Sequence, residues 1–436
     1  MKKHFSRTIT IVFLLFVFFW SHAQGNAASS TGKTGEKPML SPQSKIIQDK
    51  ALKDLWPATK SPVSSPSSGP LMPNAIGCAL PLTGRFADAG NRALDAMLLS
   101  ADLFNVRQPS PWKILVTDSG GTASGIRDSI AYLADVARVM AIVAMTGTAE
   151  AADAAREAQK RRVPLILITS REGVTHAGEY VFQHFLTPSQ QTDAITRYAH
   201  HHFHAASFSI LYPQDDYGEE MARLFHHSVQ KMGGLVVKAI AYHKNQVDFT
   251  KQIQELTGIS PADSIQSPAN NRPGWSGSSP LDFEALFIPD SPRRVKSIAE
   301  HLAFYGIKDV QLLGTSLWNS SELWKGNVKH LEGSVFTDSF LVNGFLPETN
   351  DFVDAYYLAY GREPDNIDAL SYDTMKMSLN ILKDGQIRSR AAFLKAFSAI
   401  QYFRGVTGQT SFSGGRVSQK DAFILKVQNG QIEQIR

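Results

Sequence analysis

Three short stretches of this 436-residue chain combine residue types that could hold a small polar ligand. Met145-Thr146-Gly147-Thr148-Ala149-Glu150-Ala151-Ala152 follows an apolar run and opens a helical one. Small residues there leave backbone N–H groups open at the positive end of a helix, where a carboxylate can bind without any charged side chain. Ordinary helix capping uses the same residues. Ile168-Thr169-Ser170-Arg171-Glu172-Gly173 closes the next apolar run and sets a hydroxyl, Ser170, beside a cation, Arg171. A strand end of a doubly wound sheet is a binding position by topology, although Arg171 and Glu172 could equally pair with each other. In Pro213-Gln214-Asp215-Asp216-Tyr217-Gly218 the aromatic Tyr217 could close over a ligand, with Asp215 or Asp216 capping a helix.

Other chemistry is thin. The chain has no dinucleotide fingerprint after a strand, no P-loop, no G-x-S-x-G and no H-E-x-x-H. No catalytic, metal-ligating or cofactor-binding residue is assigned, and the chain reads as non-enzymatic. Gly120-Gly121-Thr122-Ala123-Ser124-Gly125 lacks the lysine of a phosphate loop and reads as a strand-to-helix connection. Among His200, His201, His202 and His204 only the first and last have the i, i+4 spacing of ligands on one helical face, so the cluster reads as a solvated helix end. Cys78, the only cysteine, can form no internal disulfide and sits in an apolar run, as a buried inert thiol would.

These stretches need a scaffold of strands and helices, and the chain supplies it twice. From Asn74, apolar runs at Ala75–Leu80, Lys113–Thr117, Val139–Val143 and Pro164–Ile168 alternate with helical patterns. The alternation restarts with Phe208–Leu211, then Leu235–Ala241, Ala285–Ile288, Val310–Leu313 and Ser334–Phe336. Short apolar strands joined by amphipathic helices predict parallel sheets covered on both faces. Two such α/β units fit a chain beyond the ~250–300 residues at which single cores split, and the cleft between them is the natural ligand site.

Charge is unevenly placed. The net charge of +4 divides into +6 over residues 1–72 and −2 over the rest, so the folded body lacks the basic face a nucleic-acid binder needs. Lys2, Lys3 and Arg7 precede ten apolar residues, Ile11 to Trp20, about half the length that spans a bilayer. Small residues follow, so residues 1–23 are expected to be a cleaved signal peptide, with no lipid-anchoring cysteine after it. The mature chain is then expected to be periplasmic and to have no membrane span. Residues 24–72, rich in Ser, Pro and Lys, read as a flexible tether, with a short helix conceivable over Lys45 to Trp56. Residues 259–280, fourteen of them Ser, Pro, Asn or Gly, read as a mobile surface insertion.

Taken together, Ile76-Gly77-Cys78-Ala79-Leu80-Pro81-Leu82-Thr83-Gly84, Tyr212-Pro213-Gln214-Asp215-Asp216-Tyr217-Gly218 and Gly405-Val406-Thr407-Gly408 with Phe412-Ser413-Gly414-Gly415 resemble the first strand, second-lobe start and C-terminal signature of the type I periplasmic binding proteins, which include the branched-chain amino acid receptors of ATP-driven importers. Within that group, Pro164 to Gly173 and Tyr180-Val181-Phe182-Gln183-His184-Phe185-Leu186-Thr187-Pro188 resemble the penicillin-binding protein activators, envelope proteins that stimulate peptidoglycan synthases. The resemblance implies one domain over 73–436 made of two doubly wound α/β lobes joined by three crossings. Lobe one is expected to hold 73–186 and 339–408, and lobe two 187–338 and 409–436. It implies a non-catalytic protein that closes on a small carboxylate-bearing ligand and passes it to the membrane subunits of an ABC-type importer. The alternative it leaves open is an envelope regulator acting by contact with a peptidoglycan synthase.

Thr146, Gly147 and Thr148 would then hold the carboxylate with Ser170 and Arg171 beside them, and Asp216 and Tyr217 would face them from lobe two. The family's amino acid receptors neutralise the ligand ammonium with an acid after a second-lobe strand. Aligned on Leu312-Leu313-Gly314-Thr315-Ser316-Leu317-Trp318, this chain has Ser316 there. A hydroxyl in place of that acid weakens ammonium binding by ~1–3 kcal/mol. Either Asp290 supplies the charge from the neighbouring loop, or Arg171 shifts the preference to an acidic ligand without an ammonium. The second is the expectation, and it disfavours leucine, isoleucine and valine.

Overall fold

The computed structural model describes residues 70–102, 110–258, 281–307, 310–324 and 328–435, all within one unit, Ser65–Arg436. The expected signal peptide, the tether up to residue 69 and the 259–280 insertion lie outside the described residues.

The first sheet is wholly parallel, in the order β2-β1-β3-β4-β5. Its strands are β1 (Met72–Leu80), β2 (Lys113–Asp118), β3 (Val139–Met145), β4 (Leu165–Ile168) and β5 (Val181–Gln183). Every residue of β3 and β4 is buried, as continuous apolar strands must be when helices cover both faces. The period-two rule sorts β1 between two cores. Ile76, Cys78 and Leu80 pack with Ala93 and Met97 of α1 (Ala87–Ser100), while Ala75 and Ala79 meet Ile126 and Ile130 of α2 (Ala123–Ala131) and the alanine face of α3 (Ala151–Lys160). Burial pushes the Cys78 thiol up to about 12, which leaves it protonated and unreactive.

The second sheet runs β15-β14-β10-β9-β8-β6-β7. Five of its strands are parallel: β6 (Ser207–Pro213), β7 (Leu235–Tyr242), β8 (Ala285–Phe287), β9 (Gln311–Gly314) and β10 (Val335–Asp338). Helices α4 (Pro188–Phe203), α5 (Asp216–Lys231), α6 (Thr250–Thr257) and α7 (Pro292–Phe304) belong to this half. Phe225 of α5 stacks on Phe287 at 4.1 Å between ring centroids and meets Phe208 edge-on.

After β10 the chain returns to the first sheet as α8 (Pro347–Tyr360), α9 (Asn366–Leu382) and α10 (Arg390–Ser398), and Met375 and Leu379 of α9 join the same core as α1. A ribbon follows, of β11 (Phe403–Gly405), β12 (Gly408–Ser411) and β13 (Gln419–Lys420). The sequence reading ended lobe one at residue 408. The chain instead stays with the first sheet for longer, because Phe412 packs against both Phe182 and Phe397 and Arg416–Ser418 bonds along the edge of β5. It joins the second sheet only with the antiparallel β14 (Phe423–Gln428) and β15 (Gln431–Gln434).

Candidate functional site

The first group of candidate residues lies at the carboxyl ends of β3 and β4. Thr146 continues β3, donating its N–H to Ile168 O at 3.3 Å, and α3 begins five residues later. Arg171 Nη1 donates to Thr148 O at 2.8 Å, which brings the two predicted stretches together, with Ser170 half-buried beside them. Arg171 forms no ion pair with Glu172. The Glu172 carboxylate instead accepts from Ser189 N at 2.8 Å and Ser189 Oγ at 2.5 Å at the start of α4. Gln183 Nε2, donating to Thr169 O and Arg171 O, fixes the backbone of the Arg171 loop from beneath.

Two residues outside the predicted set shape this end of the sheet. The Phe86 ring, just ahead of α1, lies between Gly121 and Gly147. A Cβ on Gly147 would come within 3.3 Å of the ring, and one on Gly121 within 3.2 Å. The Glu150 carboxylate folds back over the same glycine, its Oε2 only 2.9 Å from where that Cβ would stand. Glu150 Oε2 and Thr146 Oγ1 are both sealed from solvent and have no hydrogen-bond partner. Phe86, Ser119, Thr122, Thr146, Gly147 and Glu150 line one closed crevice with no room for a water molecule. Sequence patterning hides Glu150, because an acid at a helix start is ordinary dipole complementarity.

The second group lies at the carboxyl ends of β6, β8 and β9. Asp215, not Asp216, caps α5 by accepting from Gly218 N at 2.9 Å, and Asp216 is exposed. Tyr217 is half-buried and donates to Thr315 Oγ1 at 3.0 Å, and burial raises its phenol well above the usual range. Asp290, one of the two expected sources of charge for an ammonium, is buried and committed. Its carboxylate accepts from Tyr242 Oη at 2.6 Å and Ser291 N at 2.6 Å, and Arg294 pairs with it at 3.2 Å. That ion pair balances its charge internally. Ser316 donates its N–H to Gln191 Oε1 at 3.1 Å.

The two groups converge on one helical turn. Ser189 holds the Arg171–Glu172 loop and Gln191 holds the Ser316 loop, and both belong to the first turn of α4, immediately after the first crossing. A capping box, Thr187 with Gln190, fixes that turn, and Gln190 Nε2 also donates to Ser418 O at 2.6 Å near the third crossing. No hydrogen bond or ion pair joins the first group to the second directly among the described residues.

Buried ionisable groups mark all three crossings. After β5, His184 Nδ1 meets Thr374 Oγ1 at 2.7 Å. The Thr374 hydroxyl donates to Leu370 O, so Nδ1 carries the proton and Nε2 accepts from Lys420 Nζ at 3.2 Å. Lys420 gives its two other donors to Thr407 and Thr410, and the Thr407 hydroxyl donates onward to Asp373. Burial and then the Lys420 charge hold the imidazole well below its ordinary range, while burial lowers the Lys420 ammonium to about 8. After β10, Asp338 accepts from Asn319 of the second half and Asn366 of the first, with no cation in contact. Burial raises its carboxyl to about 7.

Among the described residues no group of three or more His, Cys, Asp or Glu side chains could hold a metal ion, and no helix is long and apolar enough to cross a membrane. His200 Nδ1 lies 3.1 Å from Ala205 O, and Thr122 caps α2 after the Gly120-Gly121 turn.

The family model described as periplasmic binding protein matches residues 73–431. Among solved structures, the branched-chain amino acid transporter substrate binding protein of Streptococcus pneumoniae, in complex with isoleucine, is 21% identical with a TM-score of 0.62, over 84% of this chain and 98% of its own. A leucine binding protein of Thermotoga maritima is 19% identical with a TM-score of 0.61, over 83% and 97%. An ABC transporter solute binding protein of R. palustris, in complex with benzoate, is 15% identical with a TM-score of 0.59, over 83% and 95%. At these identities the likeness is one of fold. No curated protein matches the chain.

Proposed function

Because the chain belongs to the periplasmic binding protein family, we propose that it is an exported, non-catalytic solute-binding protein that closes its two lobes on a small carboxylate-bearing ligand and delivers it to the membrane subunits of an ABC-type importer. The observation that carries this reading is the convergence on α4. Loops from the strand ends of both sheets dock on one turn, through Ser189 and Gln191, directly beside a crossing. A ligand touching both loops therefore couples to the angle between the lobes, which is how closure around a solute becomes a readable signal. Arg171 is exposed at this rim with most of its guanidinium uncommitted, a suitable partner for a carboxylate. Isoleucine and benzoate, the ligands of two structural neighbours, share that group and little else. Thr148 and Ser170 complete the proposed carboxylate subsite. Residues 1–23 are proposed to be the cleaved export signal, which sets the mature protein in the periplasm.

A thermal-shift screen of the purified mature chain against amino acids and aromatic carboxylates tests the reading, since a ligand specific for the folded state raises its melting temperature. A rise with at least one member of the panel is expected. A flat response to every one would remove the solute-binding reading.

A further inference from the structure

Asp338 closes β10 at the second crossing, and its one carboxylate holds both halves of the protein. Asn319, from the loop after β9, donates its Nδ2 to Oδ2 at 2.7 Å. Asn366, the first residue of α9, donates its Nδ2 to Oδ1, and Ser339 N donates to the same oxygen at 2.6 Å. The first amide belongs to the second half and the other to the first. Every bond runs toward the acid, so this arrangement is that of the ionised carboxylate. Neither amide can turn over without loss. Asn319 Nδ2 also donates to Phe340 O at 2.7 Å, and Asn366 Nδ2 to Ser339 Oγ at 3.0 Å. A protonated Asp338 carries a donor of its own and sets it against an amide donor. That amide must then present its oxygen, which breaks its second bond, or move away. One tie across the crossing is weakened whenever the proton is on.

The surroundings hold the acid close to that change. Burial raises its carboxyl to about 7, and Asp365, the like-charged cap of α9, pushes the same way. Asp365 is paired with Arg92 of α1 at 2.9 Å, and Asp368, further along α9, with Arg92 and Arg362, so both cations are committed elsewhere. From the sheet, β14 sets the apolar Phe423 opposite Asp338. We propose that Asp338 is a proton-operated clasp, which ties the two halves together at the second crossing when ionised and releases one tie when protonated, changing the angle between the lobes. The proton is then an effector of lobe closure, and a ligand that favours one angle binds with an affinity that follows pH. The inference rests on the lobe closure of the reading above and needs no ligand to be tested.

Spin labels on Lys160→Cys of α3 and Gln230→Cys of α5, both exposed positions, report the distance between the lobes by double electron–electron resonance. Cys78 is buried and protonated, so it takes up no label. In the unliganded mature protein the distance distribution should shift between about pH 5.5 and about pH 8.5, with its midpoint near 7. Asp338→Asn, which keeps the shape of the protonated acid at every pH, should hold the low-pH distribution throughout. Asn366→Ala, which removes the first-half tie and keeps the acid, should also abolish the shift, and it decides the matter if Asp338→Asn does not fold. A wild-type distribution unchanged across this range would overturn the inference. So would an undiminished shift in the variants, which would assign the titration to Lys420 at the third crossing. Either failure leaves the solute-binding reading standing, because that reading falls only on a flat ligand screen.

Discussion

At the carboxyl ends of the first sheet, Thr146 and Glu150 present buried oxygens without donors, and Arg171 presents a guanidinium without an acid. At the corresponding ends of the second sheet, Tyr217 is bonded to Thr315, and Asp290 is held by Tyr242, Ser291 and Arg294. The same α/β connection built both ends. Each opens with a proline that closes the first strand and a helical glycine packed on that proline's carbonyl, Gly90 on Pro81 and Gly218 on Pro213, where a Cβ would come within 2.2 Å of the oxygen. The difference lies in which polar groups the fold has already used. A rim whose groups are spent on each other serves as scaffold, and a rim with open valences can discriminate.

That contrast can be broken most directly at Asp290. Asp290→Ala leaves the Tyr242 hydroxyl and Arg294 without their partner, and breaking a buried pair in this way costs about 3 kcal/mol or more. Chemical denaturation should register that loss, while Glu150→Gln, which removes an unpartnered carboxylate charge, should cost no stability. Equal losses would mean that the two rims do not differ in kind.

The hinge between them should respond to pH. Asp338 has its carboxyl raised from the ordinary 3.8 to about 7 by burial, so the folded chain binds more protons than the unfolded one across that window. Its contribution is neutral below the lower value, and it costs stability progressively as pH rises toward the upper one. Denaturation at several pH values should show Asp338→Asn gaining on the wild type between pH 4 and 7. Parallel curves would contradict the burial assigned to this carboxyl.

Arg171→Ala sharpens the comparison from the side of binding. An exposed arginine contributes little to stability, but loss of a charge-assisted bond to a carboxylate should weaken ligand affinity about ten- to hundredfold. Calorimetry beside a thermal melt separates the two effects, and unchanged affinity would remove Arg171 from the site. The smallest effect is expected at Tyr217→Phe, about 1 kcal/mol of stability for one half-buried hydrogen bond, with affinity nearly unchanged. A large loss of affinity there would return Tyr217 to the ligand.

The strands were legible because β3, β4 and β8 are apolar at every position, and the restart at Phe208 announced the second sheet. The position of the third crossing was not legible, since Gly414-Gly415 marks a turn but gives no sign that Phe412 packs against Phe182, 230 residues earlier. Site residues divided in the same way. Thr148 and Arg171 could be set together from their places after adjacent strands. The commitment of Asp290 to Tyr242, and the folding of Glu150 over Gly147 beneath Phe86, depend on contacts that spacing does not encode.

The most direct measurement is a crystal structure of the mature protein with its tightest-binding carboxylate ligand. The account predicts ligand density between the two sheets, its carboxylate on Arg171 beside Thr148 and Ser170. Asp290 should still be paired with Arg294. A ligand held away from Arg171, with Asp290 released from Arg294 to bind it, would contradict it.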